Sequence, residues 1–235
     1  MPRARRLTGM AVLGSAVAVA VLARRANLFG RAYALLYDQL NVQAERAFLG
    51  NVRDGLLSSA AGRVLEIGAG TGVNLEHYPK DGNLEILVTE PDPAMLARAR
   101  HRAALLGRDV EFRQAGAYPL PFPDQTFDTI VFTLCLCTID DPEAALKEAR
   151  RVLKPDGKIL VLEHVRSARP ELAVWQDRLE KPWGVIGRGC HPNRDTKGMI
   201  ERAGFAFDWL AEQEEERIPI PIVRPGILGV ARPTA

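Results

Sequence analysis

Val64-Leu65-Glu66-Ile67-Gly68-Ala69-Gly70-Thr71-Gly72 runs an apolar strand straight into Gly-x-Gly-x-Gly. Glycines at this spacing allow a tight turn and let the backbone approach a ligand closely. The helix expected after them offers unpaired N–H groups at its start. A dinucleotide-binding loop calls for Gly-x-Gly-x-x-Gly. Here the third glycine falls one position early, and Val73 stands in its place. Glu66, just ahead of the loop, suits a cationic ligand better than a pyrophosphate.

Downstream of this loop the chain alternates apolar strands with helical stretches, the pattern of βαβ units around a parallel sheet. Strands are expected at residues 63–67, 84–90, 110–114, 127–132, 158–164, 205–210 and 227–231. Helical stretches are expected near 72–78, 93–106, 141–153 and 195–203. Asp140-Asp141-Pro142-Glu143 reads as a helix start, with acid at the cap and proline in the first turn. Lys154-Pro155-Asp156-Gly157 reads as a helix stop and turn. Ile218, Ile220 and Ile222, broken by Pro219 and Pro221, read as an extended edge segment. Glu90 ends the second strand, 22 residues after Gly68. A carboxylate there accepts from both hydroxyls of a ribose; its plainer alternative is a solvated strand-end acid.

Two further segments complete the pattern. Pro119-Leu120-Pro121-Phe122-Pro123-Asp124-Gln125-Thr126-Phe127-Asp128 precedes the fourth strand, and Arg151-Val152-Leu153-Lys154-Pro155-Asp156-Gly157 precedes the fifth. With E-x-G-x-G-x-G, L-P-F-x-D-x-x-F-D and R-V-L-K-P-x-G in this order, residues 62–162 resemble the class I S-adenosylmethionine (SAM)-dependent methyltransferases. The resemblance implies an α/β Rossmann-like fold, a mostly parallel seven-stranded sheet with helices on both faces. It implies SAM as cofactor, with its methionine end near Glu66, Gly68, Gly70 and Gly72. The ribose falls on Glu90, and the adenine near Pro91, Gly116 and Ala117. Thr133 also falls on the cofactor side. Many relatives carry an acid where this chain has Gly116.

A narrower resemblance lies beyond that core. Thr133-Leu134-Cys135-Leu136-Cys137-Thr138-Ile139, Glu163-His164-Val165, Trp175-Gln176, Pro182-Trp183 and the run from Gly189-Cys190 to Arg194-Asp195-Thr196 are similar to membrane-associated methyltransferases that act on alkyl thiols. The acceptor it implies is a small lipophilic molecule such as an alkyl thiol. Bacterial enzymes that methylate phospholipid amines or quinones share much of the pattern, and a non-catalytic SAM-binding scaffold is a third reading. His164, at the sheet edge where sites gather, is the candidate general base; a hydrogen-bonded structural histidine is the equal alternative. Trp175, Trp183 and Cys190 are the candidate acceptor-binding residues, with helix packing as the rival for both tryptophans. Cys135 and Cys137 read first as small core residues. Their C-x-C spacing supports neither a zinc ribbon nor a thioredoxin motif, so no metal is expected.

Composition sets the remaining bounds. Six of the 31 basic residues lie within residues 1–37, which contain no acid, leaving 25 basic against 29 acidic side chains elsewhere. A mildly acidic body argues against a nucleic-acid surface. The basic end suits anionic lipid headgroups. Residues 7–23 carry no charge and are flanked by Arg5-Arg6 and Arg24-Arg25. As a helix they reach roughly 25 Å against a hydrocarbon core of about 30 Å. An uncleaved anchor over residues 1–25 is the leading reading, with a cleaved secretory or twin-arginine signal as rivals. The organisation expected is this anchor, an amphipathic helical lead-in over 26–60 and a methyltransferase domain over 61–235. The protein is then membrane-associated, with the domain facing the cytosol.

Overall fold

The computed structural model describes residues 38–39, 42–80 and 83–234. The anchor expected over residues 1–25 lies outside the described residues. Among those described, no helix is long and apolar enough to cross a membrane.

A π-helical turn, Glu45–Leu49, leads into helix α1 (Gly50–Leu57). Strand β1 (Arg63–Ile67) follows, then a 3₁₀ turn (Val73–Glu76), β2 (Glu85–Thr89), α2 (Pro93–Leu106), β3 (Val110–Arg113) and β4 (Phe127–Thr133). Helix α3 (Pro142–Val152), β5 (Leu153–His164), α4 (Pro170–Ile186), α5 (Thr196–Arg202), β6 (Phe205–Glu214) and β7 (Pro225–Pro233) complete the chain. The sheet order is β3-β2-β1-β4-β5-β7-β6. The first five strands in that order pair in parallel, while β7 pairs antiparallel with both β5 and β6.

Burial of the strands on both faces dictates this layering. Val64, Ile86, Val88, Val131 and Leu160 pack on one side against Leu56 and Leu57 of α1 and Leu96 and Ala103 of α2. Leu65, Ile67, Ile130, Phe132 and Val161 pack on the other against Leu146 and Ala149 of α3 and Ile200 of α5. Helix starts follow the capping chemistry read from the sequence. Asp92 accepts from the Ala94 and Met95 amides ahead of Pro93, and Asp141 accepts from the Ala144 amide ahead of Pro142. Each such cap stabilises its helix by about 1 kcal/mol.

Three local expectations need correction. The stretch 72–78 is a single 3₁₀ turn, because Asn74 and Tyr78 turn inward to a buried carboxylate. The turn at 154–157 falls within β5: Leu153 pairs with Phe127 and Lys158 with Thr129, so the intervening residues bulge out of the ladder. The Ile218–Ile222 stretch is no edge strand; turns lead to a 3₁₀ turn at Pro221–Val223, where Ile222 and Val223 are buried against Leu172 of α4.

Candidate active site

The chain reverses direction across the sheet between β1 and β4, and ligands of open α/β sheets bind at such switch points. On the β1–β2 side, Gly68, Gly70 and Gly72 have φ of +69°, +58° and +77°, conformations that L side chains rarely adopt. A Cβ on Gly68 would stand 2.9 Å from the Cβ of Cys135, so the loop is seated directly on the segment after β4. A Cβ on Gly70 would meet nothing within 4 Å, which leaves open space above the loop backbone. Glu90, buried beside it, accepts from the Gly70 amide (2.9 Å) through Oε2 and from the Asp92 amide (2.9 Å) through Oε1. Burial pushes its carboxyl up from the ordinary carboxylate value. Glycines open to a ligand and a strand-end acid with unused lone pairs fit an adenosyl group that carries hydroxyls and a cationic sulfur. Ala117 is buried, whereas Pro91 and Gly116 are exposed beside this edge.

Glu66 is set deeper than its place in the motif suggests. It is 2% exposed, and its oxygens accept from Asn74 Nδ2 (3.0 Å) and the Tyr78 hydroxyl (2.9 Å). Burial drives its carboxyl up to about 7, against the lowering effect of those hydrogen bonds and of Arg53. Asn74 also donates to the Thr133 hydroxyl (2.8 Å), so Glu66 fixes the loop and the end of β4 as one unit. Sequence reasoning missed Asn74, Tyr78 and Arg53, whose Nη1 donates to Asn74 (2.6 Å). It also missed Asp38, which accepts from the Thr71 hydroxyl (2.5 Å) and pairs with Arg98 and Arg102 at 2.8 Å each. The lead-in therefore reaches the glycine loop itself.

On the β4–β5 side, Glu163 is fully buried and accepts from three successive amides, those of Cys135 (2.8 Å), Leu136 (2.8 Å) and Cys137 (3.2 Å). Its carboxylate therefore shapes the turn that follows β4. His164 ends β5, as expected from the sequence. Its Nδ1 lies 4.0 Å from Cys137 Sγ and 3.8 Å from Cys190 Sγ, and the two sulfurs are 3.7 Å apart. Cys190 arrives on a loop tied to this turn by the His191 amide, which donates to the Cys137 carbonyl (2.7 Å), and by Arg194, which donates to the Ile139 carbonyl (2.6 Å). The same loop carries Arg188, whose guanidinium reaches Asp92 (3.3 Å) on the β2 side. The thiols share a proton unevenly. The Cys137 hydrogen bond and His164 pull Cys190 down to about 4 against the effect of burial, while the Cys190 hydrogen bond and burial push Cys137 up.

His164 also lines a small hollow open to solvent, walled by Phe48, Leu49 and Val52 of the lead-in and by Leu134, Leu162 and Val223, with Glu215 and Arg224 at it too. Trp183 packs beside Leu172 and Ile222, and its indole nitrogen is buried without a hydrogen-bond partner among the described residues. Trp175 does not join them. Its side chain is 53% exposed on α4, with the Arg178 guanidinium 5.5 Å above the ring. The C-x-C spacing leads to no metal being expected, yet Cys137, His164 and Cys190 bring three ligand atoms within 4.8 Å of one another. No local spacing signals this, since the three residues come from separate connections.

Known proteins bear on this geometry. The sequence pattern of the "Methyltransferase domain" family matches residues 65–161. Thiol S-methyltransferase TMT1B of Rattus norvegicus is 31% identical over 192 residues, covering 80% of this chain and 77% of that protein. Phosphatidylethanolamine N-methyltransferase of Cereibacter sphaeroides is 33% identical over 135 residues, covering 56% of this chain and 64% of that protein. Among solved structures, the [4+2]-cyclase SpnF shares the fold, with a TM-score of 0.68 at 20% identity, over 89% of this chain and 96% of that one. The chain belongs to the class I methyltransferase family that includes TMT1B, and it is an enzyme with S-adenosylmethionine as its methyl donor.

Proposed function

We propose that the protein methylates the sulfur of a small lipophilic thiol at a membrane surface. The observation that carries this reading is the placement of His164. It stands on the wall of an apolar cavity, one strand across the sheet from the segment that seats the glycine loop. The likeness to thiol S-methyltransferase TMT1B supports the same acceptor class.

In this reading Glu90 takes the ribose hydroxyls, and Gly68, Gly70, Gly72 and Thr133 border the methionine end. Pro91, Gly116 and Ala117 flank the adenine, and Glu66 acts through Asn74 and Tyr78 as a positioning residue. SAM supplies a methyl group already activated on a sulfonium. The protein's part is to hold the acceptor, exclude water and manage one proton. Phe48, Val52, Leu134 and Leu162 receive the acceptor's apolar body, and His164 is where its thiol loses the proton.

Access from a bilayer is supported by α4. At 100° per residue, Val174, Trp175, Leu179, Val185 and Ile186 fall within an arc of about 140°. All five are between 37% and 83% exposed, and they share this arc with Glu171 and with Arg178, giving an amphipathic face that leads to the loop carrying Cys190. With the uncharged segment at 7–23 as an uncleaved anchor, the domain lies on the cytosolic side, where the donor is made. The same face favours a second reading, a phospholipid amine as acceptor, which the Cereibacter relative also supports.

Full-length protein incubated with methyl-labelled SAM and, separately, short alkyl thiols, phosphatidylethanolamine vesicles and a quinol distinguishes the two. Label recovered in a thioether is the expected result. Label only in the lipid or quinol, with none in any thiol, overturns it.

A further inference from the structure

We propose that Cys137, Cys190 and His164 form a site for a thiophilic divalent cation, zinc by its ligand set, whose fourth position takes the acceptor thiol as thiolate. The inference rests on the thiol reading above and refines what His164 does there.

The distances carry it. With Zn–S of about 2.3 Å and Zn–N of about 2.0–2.1 Å, tetrahedral ligation separates two sulfurs by about 3.8 Å and a sulfur from a nitrogen by about 3.5–3.6 Å. The protein holds the sulfurs at 3.7 Å and His164 Nδ1 at 3.8 and 4.0 Å from them. Ligation therefore needs only a few tenths of an ångström of closure. A disulfide, at about 2.05 Å, would need the sulfurs to approach by more than 1.5 Å.

Outer contacts support the same geometry. Glu163 fixes the Cys137 amide, and the His191 amide ties the Cys190 loop to the Cys137 carbonyl. Such contacts orient first ligands in built metal sites. Three ligands, Cys₂His, with one position free is the pattern of a catalytic rather than a structural zinc. His164 belongs both to the cluster and to the apolar hollow, which sets the cluster beside the space proposed for a lipophilic thiol.

Ligation removes the thiol proton at neutral pH and sends it to solvent, because a metal-bound thiol is held as thiolate. The S–CH₃ bond of the acceptor then forms as the sulfonium S–CH₃ bond breaks, leaving S-adenosylhomocysteine. The neutral thioether is a poor zinc ligand and departs. Charge balances, with one proton released and one sulfonium neutralised for each thioether made.

The test uses reduced full-length protein titrated with zinc against a chromophoric chelator, then with cobalt(II). One zinc per chain is expected, with affinity about 100-fold or more lower in Cys137→Ser, Cys190→Ser and His164→Ala. Cys135→Ser, judged folded by its melting curve, serves as the control and should bind as the parent does. Cobalt should give a thiolate charge-transfer band that grows when a short alkyl thiol is added. No zinc binding, or binding indifferent to all three substitutions, overturns the site. A cobalt band that ignores added thiol overturns the fourth-ligand assignment. Undiminished thiol methylation by zinc-free protein overturns the inference while leaving the thiol reading intact. A thiol-responsive cobalt band without thiol methylation upholds the site and defeats that reading instead.

Discussion

Glu66→Gln should make the protein more stable and a poorer binder of its methyl donor. Burial raises the Glu66 carboxyl from 4.5 to about 7, so the folded state holds a proton there that the unfolded chain has lost across that interval. Stability from this group is fully present below about 4.5 and is lost as pH rises toward 7, because the folded state binds more protons than the unfolded one. Each pH unit of difference is about 1.4 kcal/mol, so the loss by pH 8 is about 3 kcal/mol. Glutamine keeps the shape and both partners: its oxygen accepts from Asn74 Nδ2 and its amide donates to the Tyr78 hydroxyl. It carries no ionisation to suppress. Glu66→Gln should exceed the parent by about 1 kcal/mol at pH 5 and by about 3 kcal/mol at pH 8. In a domain of this size that is about 6–12 °C of melting temperature. Calorimetric melts between pH 5 and 8 measure it, with SAM affinity titrated alongside; the loss of a negative charge behind the loop should weaken the cationic ligand. A parent melting temperature flat across that range, or a substitution destabilising by the same amount at both ends, would refute the reasoning.

If Glu90 takes the ribose hydroxyls as proposed, Glu90→Ala should weaken SAM binding by about 1.5–3 kcal/mol in titration calorimetry; unchanged affinity removes Glu90 from the site. Deleting residues 1–25 should move the protein to the soluble fraction with SAM binding intact, and a full-length protein found wholly soluble would count against the anchor. His164→Ala should slow thiol methylation by about 100-fold at neutral pH and recover part of the rate as pH rises and the acceptor forms its thiolate unaided. SAM affinity should stay near the parent's, and full activity of this variant would make His164 a packing residue.

The sequence by itself determined the cofactor half of this enzyme. The turn from β1 into Gly68-Ala69-Gly70-Thr71-Gly72 is a local event, written in glycines that must take positive φ. The same holds for Glu90 at a strand end and for the Asp92–Pro93 and Asp141–Pro142 helix starts, each settled by neighbours within a few residues. What only the tertiary structure decided is long-range. Nothing in the periodicity of β6 and β7 says that β7 inserts between β5 and β6, because pairing partners are chosen by which buried faces meet. Glu66 reads as a ligand-facing acid in the motif, yet Asn74 and Tyr78 enclose it. Cys137, His164 and Cys190 read separately as core, base and pocket residues. They meet because Glu163 curls the turn after β4 onto the end of β5 while Arg194 and His191 bind the later loop to that turn. A contact between residues 26 to 53 positions apart costs loop-closure entropy and returns it through packing elsewhere. That balance belongs to the folded whole and leaves no mark on the spacing of the residues that meet.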